Sequence, residues 1–301
     1  MKTCPQCTAE APVDDRFCEE CGAHLGSPSS APGKCGKCGA GLEAVDEDGF
    51  CSACGFRREA PMRDHFEHVV SPAFAGITDR GLRHHRNEDF FVMDSVGDAH
   101  IAVVCDGVSS TSEAERASEA AADTIFRSLL QSEPLRDAVA KAQNAVAAVA
   151  GEPATTVVAA VVRDGRALIA SVGDSRAYWI ARENSQQLTR DDSWINEVVE
   201  CGEMTQEEAL KSSQAHAITR WLGADATADD SAASLVEFDI PGPGHLLLCS
   251  DGLWNYVADP AAMAELIHAG EEEAVNTVRR LVDFANEKGG QDNITAVLLT
   301  L

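Results

Sequence analysis

Hydrophobic and polar positions alternate in blocks along most of the chain, and several apolar blocks stop on, or start from, an acid. Ile101 to Cys105 is an unbroken apolar run ended by Asp106 and Gly107. Leu246 to Cys249 leads through Ser250 to Asp251, and Asp292 stands just before the closing run Ile294 to Leu301. Short continuous runs of this kind, rich in β-branched side chains, predict strands covered on both faces. Phe74 to Asp79 reads as another short strand. Thr155 to Val162 and Ala167 to Val172 form a predicted antiparallel hairpin around Asp164-Gly165, a pair that tolerates the left-handed backbone of a two-residue turn. Gly173-Asp174-Ser175-Arg176 then connects to a strand over Ala177 to Ala181 and exposes Asp174 at a sheet edge.

Helical spacing fills the intervals. Ser112 and Glu115 form a capping-box pattern ahead of a helix whose apolar face is Ala117, Ala121, Ile125 and Leu129. A second helix, opened by Pro134, runs toward Gly151 with Val139, Ala142 and Val146 inward. Leu188 to Asp230 is polar and is expected to be mostly helical, with Thr205 and Glu208 as another capping box, and reads as an insertion over a site. Asp259-Pro260 caps a later helix, Glu271 to Lys288 forms the last one, and Gly289-Gly290 release the chain into the closing strand.

The 301 residues suffice for two or three compact units, and 45% hydrophobic content supports one sizeable core. With 49 acids against 24 bases the formal net charge is −25, a field that repels nucleic acid and anionic membranes. Polyanion binding is therefore not expected. No apolar run approaches the roughly 18–20 residues of a membrane span. Met1-Lys2-Thr3-Cys4 leads directly into a metal motif instead of a signal peptide, so the expected location is cytoplasmic.

The cysteines change the picture at the amino terminus. Of 11, eight form four CxxC pairs: Cys4 and Cys7, Cys18 and Cys21, Cys35 and Cys38, Cys51 and Cys54. Four thiolates at such spacing make a closed tetrahedral site, the preference of structural Zn²⁺, so two zinc ions are expected, one for each two pairs. Redox dithiols or a disulfide framework are the competing readings, and the latter needs an oxidising compartment. The segment has few large apolar residues, so bound metal would supply its folding energy. It resembles double zinc-ribbon modules, and its acidic loops favour a protein partner over nucleic acid. His24 reads as a surface histidine. The expected organisation is zinc ribbon 1 over 1–25, a flexible Gly/Ser/Pro linker over 26–34, zinc ribbon 2 over 35–58, a charged irregular linker over 59–73, and a large domain over 74–301. His65 and His68, within that second linker, are expected to face solvent.

The acids carry the chemistry. If Glu88, Asp106, Asp174, Asp251 and Asp292 converge, each pair about 4 Å apart repels by roughly 4 kcal/mol at an effective dielectric of about 20, and divalent cations must neutralise the set. Oxygen-only ligation favours Mg²⁺ or Mn²⁺ over Zn²⁺. Two such ions about 3.5–4 Å apart suit hydrolysis of a phosphoester through a bridging hydroxide.

TDRGLRHHRNED, VVCDGVSS, ATTVVAAVV, SVGDSRAYWI, LTRDDS, LLLCSDGLW and GGQDNITAVLL, in this order, resemble the metal-dependent PPM, or type 2C, Ser/Thr protein phosphatases over roughly Phe74 to Leu301. The resemblance implies an α+β fold, a four-layer αββα sandwich of two antiparallel sheets flanked by helices. It implies that Asp106 bridges two metals, that Asp251 and Asp292 complete one shell, and that Glu88 and the Gly107 carbonyl hold the other. Asp174 with Asp251 would bind a third, weaker ion, and Leu188 to Asp230 would be the flap. Phosphorylated proteins would be the substrates, among them those of a Ser/Thr kinase or the kinase itself. The rival reading is a catalytically weak scaffold that reads phosphorylation while the ribbons bind protein.

The chain departs from the family pattern at Val108-Ser109-Ser110, where many members carry Met-Gly-Gly, and at Asp192, where a His is usual. Cys105 and Cys249 beside the metal acids read as inert packing. Many members carry an Arg three residues before the Asn of Asn-Glu-Asp as a phosphate ligand, and here that position is His84. The candidates for the phosphate contact are His84 assisted by Arg86, and Arg83 in a displaced register.

Overall fold

In a computed structural model, the described residues are 62–229, 231–270 and 273–301, preceded by 2–3, 10–11, 40–41, 44 and 52–53. The chain divides into two compact units, Met1–Pro61 and Met62–Leu301. In the first, Lys2–Thr3 pairs antiparallel with Glu10–Ala11, and the Ser52 amide donates to the Ala44 carbonyl at 2.7 Å. All eight CxxC cysteines and His24 lie outside the described residues, as does most of the chain assigned to the two ribbons and the linker between them.

The second unit is built from two antiparallel sheets. Their strands are β1 (His65–Ser71), β2 (Phe74–Asp79), β3 (Phe90–Val96), β4 (Ala99–Cys105), β5 (Val157–Arg163), β6 (Arg166–Val172), β7 (Arg176–Ile180), β8 (Gln186–Gln187), β9 (Ser234–Asp239), β10 (His245–Cys249) and β11 (Ile294–Thr300), and a separate short pair joins Ala154–Thr155 to Leu222–Gly223. One sheet runs β8-β7-β10-β11-β2-β1 and the other β9-β6-β5-β4-β3. Its helices are α1 (Ala114–Leu130), α2 (Leu135–Ala147), α3 (Trp194–Glu200), α4 (Gln206–Ala209), α5 (Asp251–Trp254), α6 (Pro260–Ile267) and α7 (Ala274–Glu287).

The unbroken apolar runs are explained by coverage on both faces. Along β10, Leu247 and Cys249 pack with the α6 and α7 side chains Met263, Val278 and Leu281. Leu246 and Leu248 point the other way, into a layer with Phe91, Val104, Val158 and Ile169 between the sheets. In β4, Val103 and Cys105 meet Ala121, Ile125 and Val139 of α1 and α2, while Ala102 and Val104 enter the inter-sheet layer. Apolar residues in both phases of the strand period thus fit the four-layer sandwich that the family resemblance implies. The Asp164-Gly165 turn is also as expected, with positive φ at both residues and Arg163 paired with Arg166.

Four expectations need correction. The described part of the linker over 59–73 is regular: Met62–Asp64 is a 3-10 turn and His65–Ser71 is the edge strand β1, paired with β2. An edge strand needs few apolar side chains, which is why it reads as irregular; His65 and His68 do face solvent. Ser112 does not cap α1, because its hydroxyl donates to the Gly151 carbonyl at 2.6 Å and the helix begins after Glu113 in a left-handed conformation. The insertion over 188–229 is mostly turns, with only α3 and α4 helical, although the Thr205–Glu208 capping box is present. Strand β9, SLVEFD, fell inside a stretch read without a strand; at the sheet edge beside β6 it is only half buried.

Candidate metal centre

The antiparallel registers bring one end of both sheets together. Phe90, which opens β3, pairs with Cys105, which closes β4; Arg176, which opens β7, pairs with Cys249, which closes β10; and Cys249 pairs with Ala296 of β11. Glu88 and Asp89 therefore enter β3, Asp106 leaves β4, Asp174 lies between β6 and β7, Asp251 leaves β10, and Asp292 precedes β11 at one common rim.

Two glycines allow the approach. A Cβ on Gly107 would lie 2.6 Å from the Ala114 carbonyl oxygen and 2.7 Å from that of Glu88, and one on Gly252 would lie 2.0 Å from that of Asn293. The Gly107 amide donates to the Glu88 carbonyl at 3.2 Å. The Asp106 carbonyl accepts from the Thr156 amide at 2.8 Å and from the Thr155 hydroxyl at 2.9 Å.

Electrostatically the rim is costly. Burial raises the Asp106 carboxyl well above the usual range, and repulsion from Asp89, Asp251, Asp292 and Asp174 adds to it. Burial, then Asp251 and Asp191, does the same to Asp174. Asp251 is pushed up to about 7 by burial and by Asp292, and Asp89 to about 7 by burial, with Asp292 and Asp251 adding. Glu88 is raised chiefly by burial, opposed by the Ser109 hydroxyl and by His84.

Second partners orient the acids. Asp89 Oδ2 accepts from the hydroxyls of Ser250 and Thr295, each at 2.7 Å, while its buried Oδ1 has no partner. Asn293 Oδ1 accepts from the Glu88 amide at 2.7 Å. Its Nδ2 donates to the carbonyls of Arg80 at 2.8 Å and Arg86 at 2.9 Å. Trp254 Nε1 donates to the Asp174 carbonyl at 2.9 Å, and the Arg176 guanidinium, paired to Asp191 at 2.6 Å, lies 3.6 Å over the Trp254 ring. Asn293, Ser250, Thr295 and Trp254 were not singled out from the sequence, although each sits within three residues of an acid that was.

The candidate phosphate contacts separate. His84 Nε2 lies 3.2 Å from Asp292 Oδ1, and its Nδ1 lies 4.0 Å from Glu88 Oε2. Arg86 pairs with Glu115 at 3.0 Å, and Arg83 is exposed. At the two departures from the family pattern, the Ser109 hydroxyl donates to Glu88 Oε2, and Asp192 is buried against Gly173 and Arg220. Cys105 and Cys249 are fully buried, and burial pushes both thiols up, away from the reactive thiolate.

Among the described residues no three His, Cys, Asp or Glu side chains already enclose one point as a ligand cage. A hard cation such as Mg²⁺ keeps several waters and takes one or two carboxylates. The mutual repulsion and the unpartnered Asp89 oxygen are what a hydrated divalent cation would relieve. A cavity of about 780 Å³ at the other end of β10, lined in part by His245, His268 and Trp179, contains none of these acids.

A protein phosphatase 2C family model matches residues 82–298, and a double zinc ribbon model matches residues 4–55. The serine/threonine phosphatase stp of Listeria welshimeri is 30% identical over 239 residues, covering 74% of this chain and 93% of that protein. The solved structure of Staphylococcus aureus Stp1 superposes with a TM-score of 0.67 at 28% identity, covering 79% of this chain and 98% of the other. The catalytic domain of the phosphatase PstP in complex with two manganese ions gives a TM-score of 0.62 at 28% identity, covering 76% and 97%.

Proposed function

The chain belongs to the protein phosphatase 2C family and is a serine/threonine protein phosphatase, and from that premise we propose that its rim of acids holds a binuclear Mg²⁺ or Mn²⁺ centre for hydrolysis of phosphoserine and phosphothreonine. The observation that carries the reading is the convergence of Asp106, Asp174 and Asp251, whose burial and mutual repulsion hold their carboxyls above their ordinary range, with the charge of Asp292 adding to the repulsion on Asp106 and Asp251. Asp106 would bridge the two ions, Asp251 and Asp292 would complete one shell, and Glu88 with the Gly107 carbonyl the other. Asp174 with Asp251 would take a third, weaker ion. When bound, such ions lower the pKa of a coordinated water and polarise phosphoryl oxygens for in-line displacement.

The chain's own groups set the geometry. Asn293 and Ser109 hold the Glu88 backbone and carboxylate. Ser250 and Thr295 fix one oxygen of Asp89 and leave the other, buried, without a hydrogen-bond partner. His84, between Asp292 and Glu88, is the proposed contact for the substrate phosphate, and the segment 188–229 is the proposed flap. Two manganese ions in the PstP structure support the metal class.

For the amino-terminal unit, the double zinc ribbon match supports two structural zinc sites, on Cys4, Cys7, Cys18 and Cys21 and on Cys35, Cys38, Cys51 and Cys54, in ribbons that recruit a phosphoprotein substrate or a protein partner. The phosphoproteins are proposed to be products of a Ser/Thr kinase, in the cytoplasm. No helix among the described residues is long and apolar enough to cross a membrane. The test is phosphate release from a phosphothreonine peptide by full-length protein with and without Mn²⁺ or Mg²⁺. Turnover that requires either ion supports the proposal, and turnover without them overturns it.

A further inference from the structure

The family match begins at residue 82, yet an arginine nearly twenty residues earlier is bound into the acidic rim. Arg63 lies in the 3-10 turn Met62–Asp64, the first described residues of the catalytic unit. Its Nε donates to the Asn87 carbonyl at 2.9 Å. One terminal nitrogen donates to the carbonyls of Asp89 at 3.2 Å and Glu115 at 2.7 Å, and to the Ser118 hydroxyl at 2.9 Å. The other pairs with Glu119 at 3.0 Å. The guanidinium therefore grips the backbone on both sides of Glu88.

The remaining carbonyl is tied into the same knot. Ser118 Oγ, which accepts from Arg63, donates to the Glu88 carbonyl at 2.5 Å. Asn87 Nδ2 returns a hydrogen bond to the Arg63 carbonyl at 2.9 Å, and the guanidinium lies 4.9 Å over the Phe90 ring. The turn itself is anchored, since the Asp64 carbonyl accepts from the Arg80 amide at 2.7 Å. A planar fork with five donors can serve several acceptors in fixed directions, and a lysine ammonium cannot. Among the described residues, nothing else that bears on Glu88 comes from so far outside the family-matched range.

We infer that Arg63 is a positioning residue for Glu88: the segment ahead of the family domain sets the geometry, and so the divalent-ion affinity, of the proposed metal centre. The inference rests on the proposed function, in which Glu88 serves a metal. Arg63 touches neither ion nor substrate. It acts by fixing the carbonyls of Asn87 and Asp89, and outer partners of this kind typically change metal affinity by about 10–100-fold.

The test uses full-length protein. Mn²⁺ affinity is measured by calorimetry, alongside thermal unfolding and phosphopeptide turnover across Mn²⁺ concentrations. Arg63→Ala is expected to raise the Kd for Mn²⁺ about tenfold or more, with turnover recovering at saturating Mn²⁺, and Arg63→Lys to fall between it and the wild type. Arg279→Ala is the control: it removes the ion pair of Arg279 with Glu67 of β1 without touching residues 87–89, and its Kd is expected to stay at the wild-type value. An Arg63→Ala protein that is less stable but binds Mn²⁺ as the wild type does would reduce Arg63 to a structural tether and overturn the inference. If Arg63→Ala does not fold, Arg63→Lys decides by the same comparison. A wild type that binds no Mn²⁺ removes the metal reading and this inference together, whereas wild-type binding with unaltered variants removes this inference alone.

Discussion

Asp192 and Gly173 are joined twice. Asp192 Oδ2 accepts from the Gly173 amide at 3.0 Å, and the Asp192 amide donates to the Gly173 carbonyl at 2.9 Å. Gly173 immediately precedes Asp174, a proposed metal ligand, and Asp192 Oδ1 also pairs with Arg220 at 3.2 Å. The two ends of the 188–229 segment are thus held at the rim by one carboxylate.

Breaking that joint should cost stability. Asp192 is only 6% exposed, and removing one partner of a largely buried ion pair costs about 3–5 kcal/mol; Arg220, with a quarter of its side chain exposed, reduces this to about 2–3 kcal/mol. Asp192→Ala is expected to lower the unfolding temperature of the catalytic unit by several degrees, and Asp192→Asn, which keeps an acceptor for Gly173, by less. An unchanged melting temperature in Asp192→Ala would show that the joint contributes nothing.

Asp251 should separate function from stability. Asp251→Asn is expected to cut turnover by more than the roughly 10–100-fold typical of an outer partner, and to stabilise the protein when no Mn²⁺ or Mg²⁺ is added. The folded carboxyl sits at about 7 against an ordinary 3.8, so between these values the folded state holds a proton that the unfolded state has released. Stability is then lost as pH rises through that window, by at most about 4 kcal/mol from this group, and Asp89 acts in the same sense. His245 opposes them: burial, then His268, lowers it to about 4 from 6.5, so its contribution is lost as pH falls through that range. The two raised carboxyls, Asp251 and the buried Asp89, together outweigh the one lowered imidazole. Protein without added divalent ions should melt at a higher temperature near pH 5 than near pH 8, with Mn²⁺ restoring the pH 8 value; a melting temperature that rises with pH would contradict this balance.

His84 carries the prediction about substrate. His84→Ala is expected to raise KM for a phosphothreonine peptide more than it lowers kcat, because the imidazole lies at the edge of the acids, between Asp292 and Glu88. His84→Arg should restore binding, since a planar guanidinium can donate to two phosphate oxygens at once. If Arg83→Ala raises KM strongly and His84→Ala does not, the phosphate contact belongs to Arg83.

Zinc content tests the amino-terminal unit. Full-length protein should carry about two tightly held zinc ions by elemental analysis, independent of added Mn²⁺ and unaffected by Asp251→Asn, because thiolate and carboxylate sites select different ions. One ion or none would contradict a two-site ribbon pair.

The sequence by itself determined the central strands and their acids, because strands covered on both faces must be apolar in both phases, and the acids interrupt those runs at their ends. The sandwich came from the resemblance of the chain's motifs to the PPM phosphatases. Leu246 to Cys249 followed by Asp251 is legible without any partner in view. Edge strands β1 and β9 were hidden for the opposite reason: with one side open to water, His65, Glu67 and Glu237 cost nothing there. Only the tertiary structure decided that Ser112 turns to Gly151, that Asp192 closes on Gly173 and Arg220, that Arg86 is drawn to Glu115 while His84 faces Asp292, and that Arg63 reaches Asn87 and Asp89. A polar side chain has no periodicity that names its partner. Which acceptor it finds depends on segments brought together by the packing of other residues, and that information is not local to the side chain's own stretch of chain.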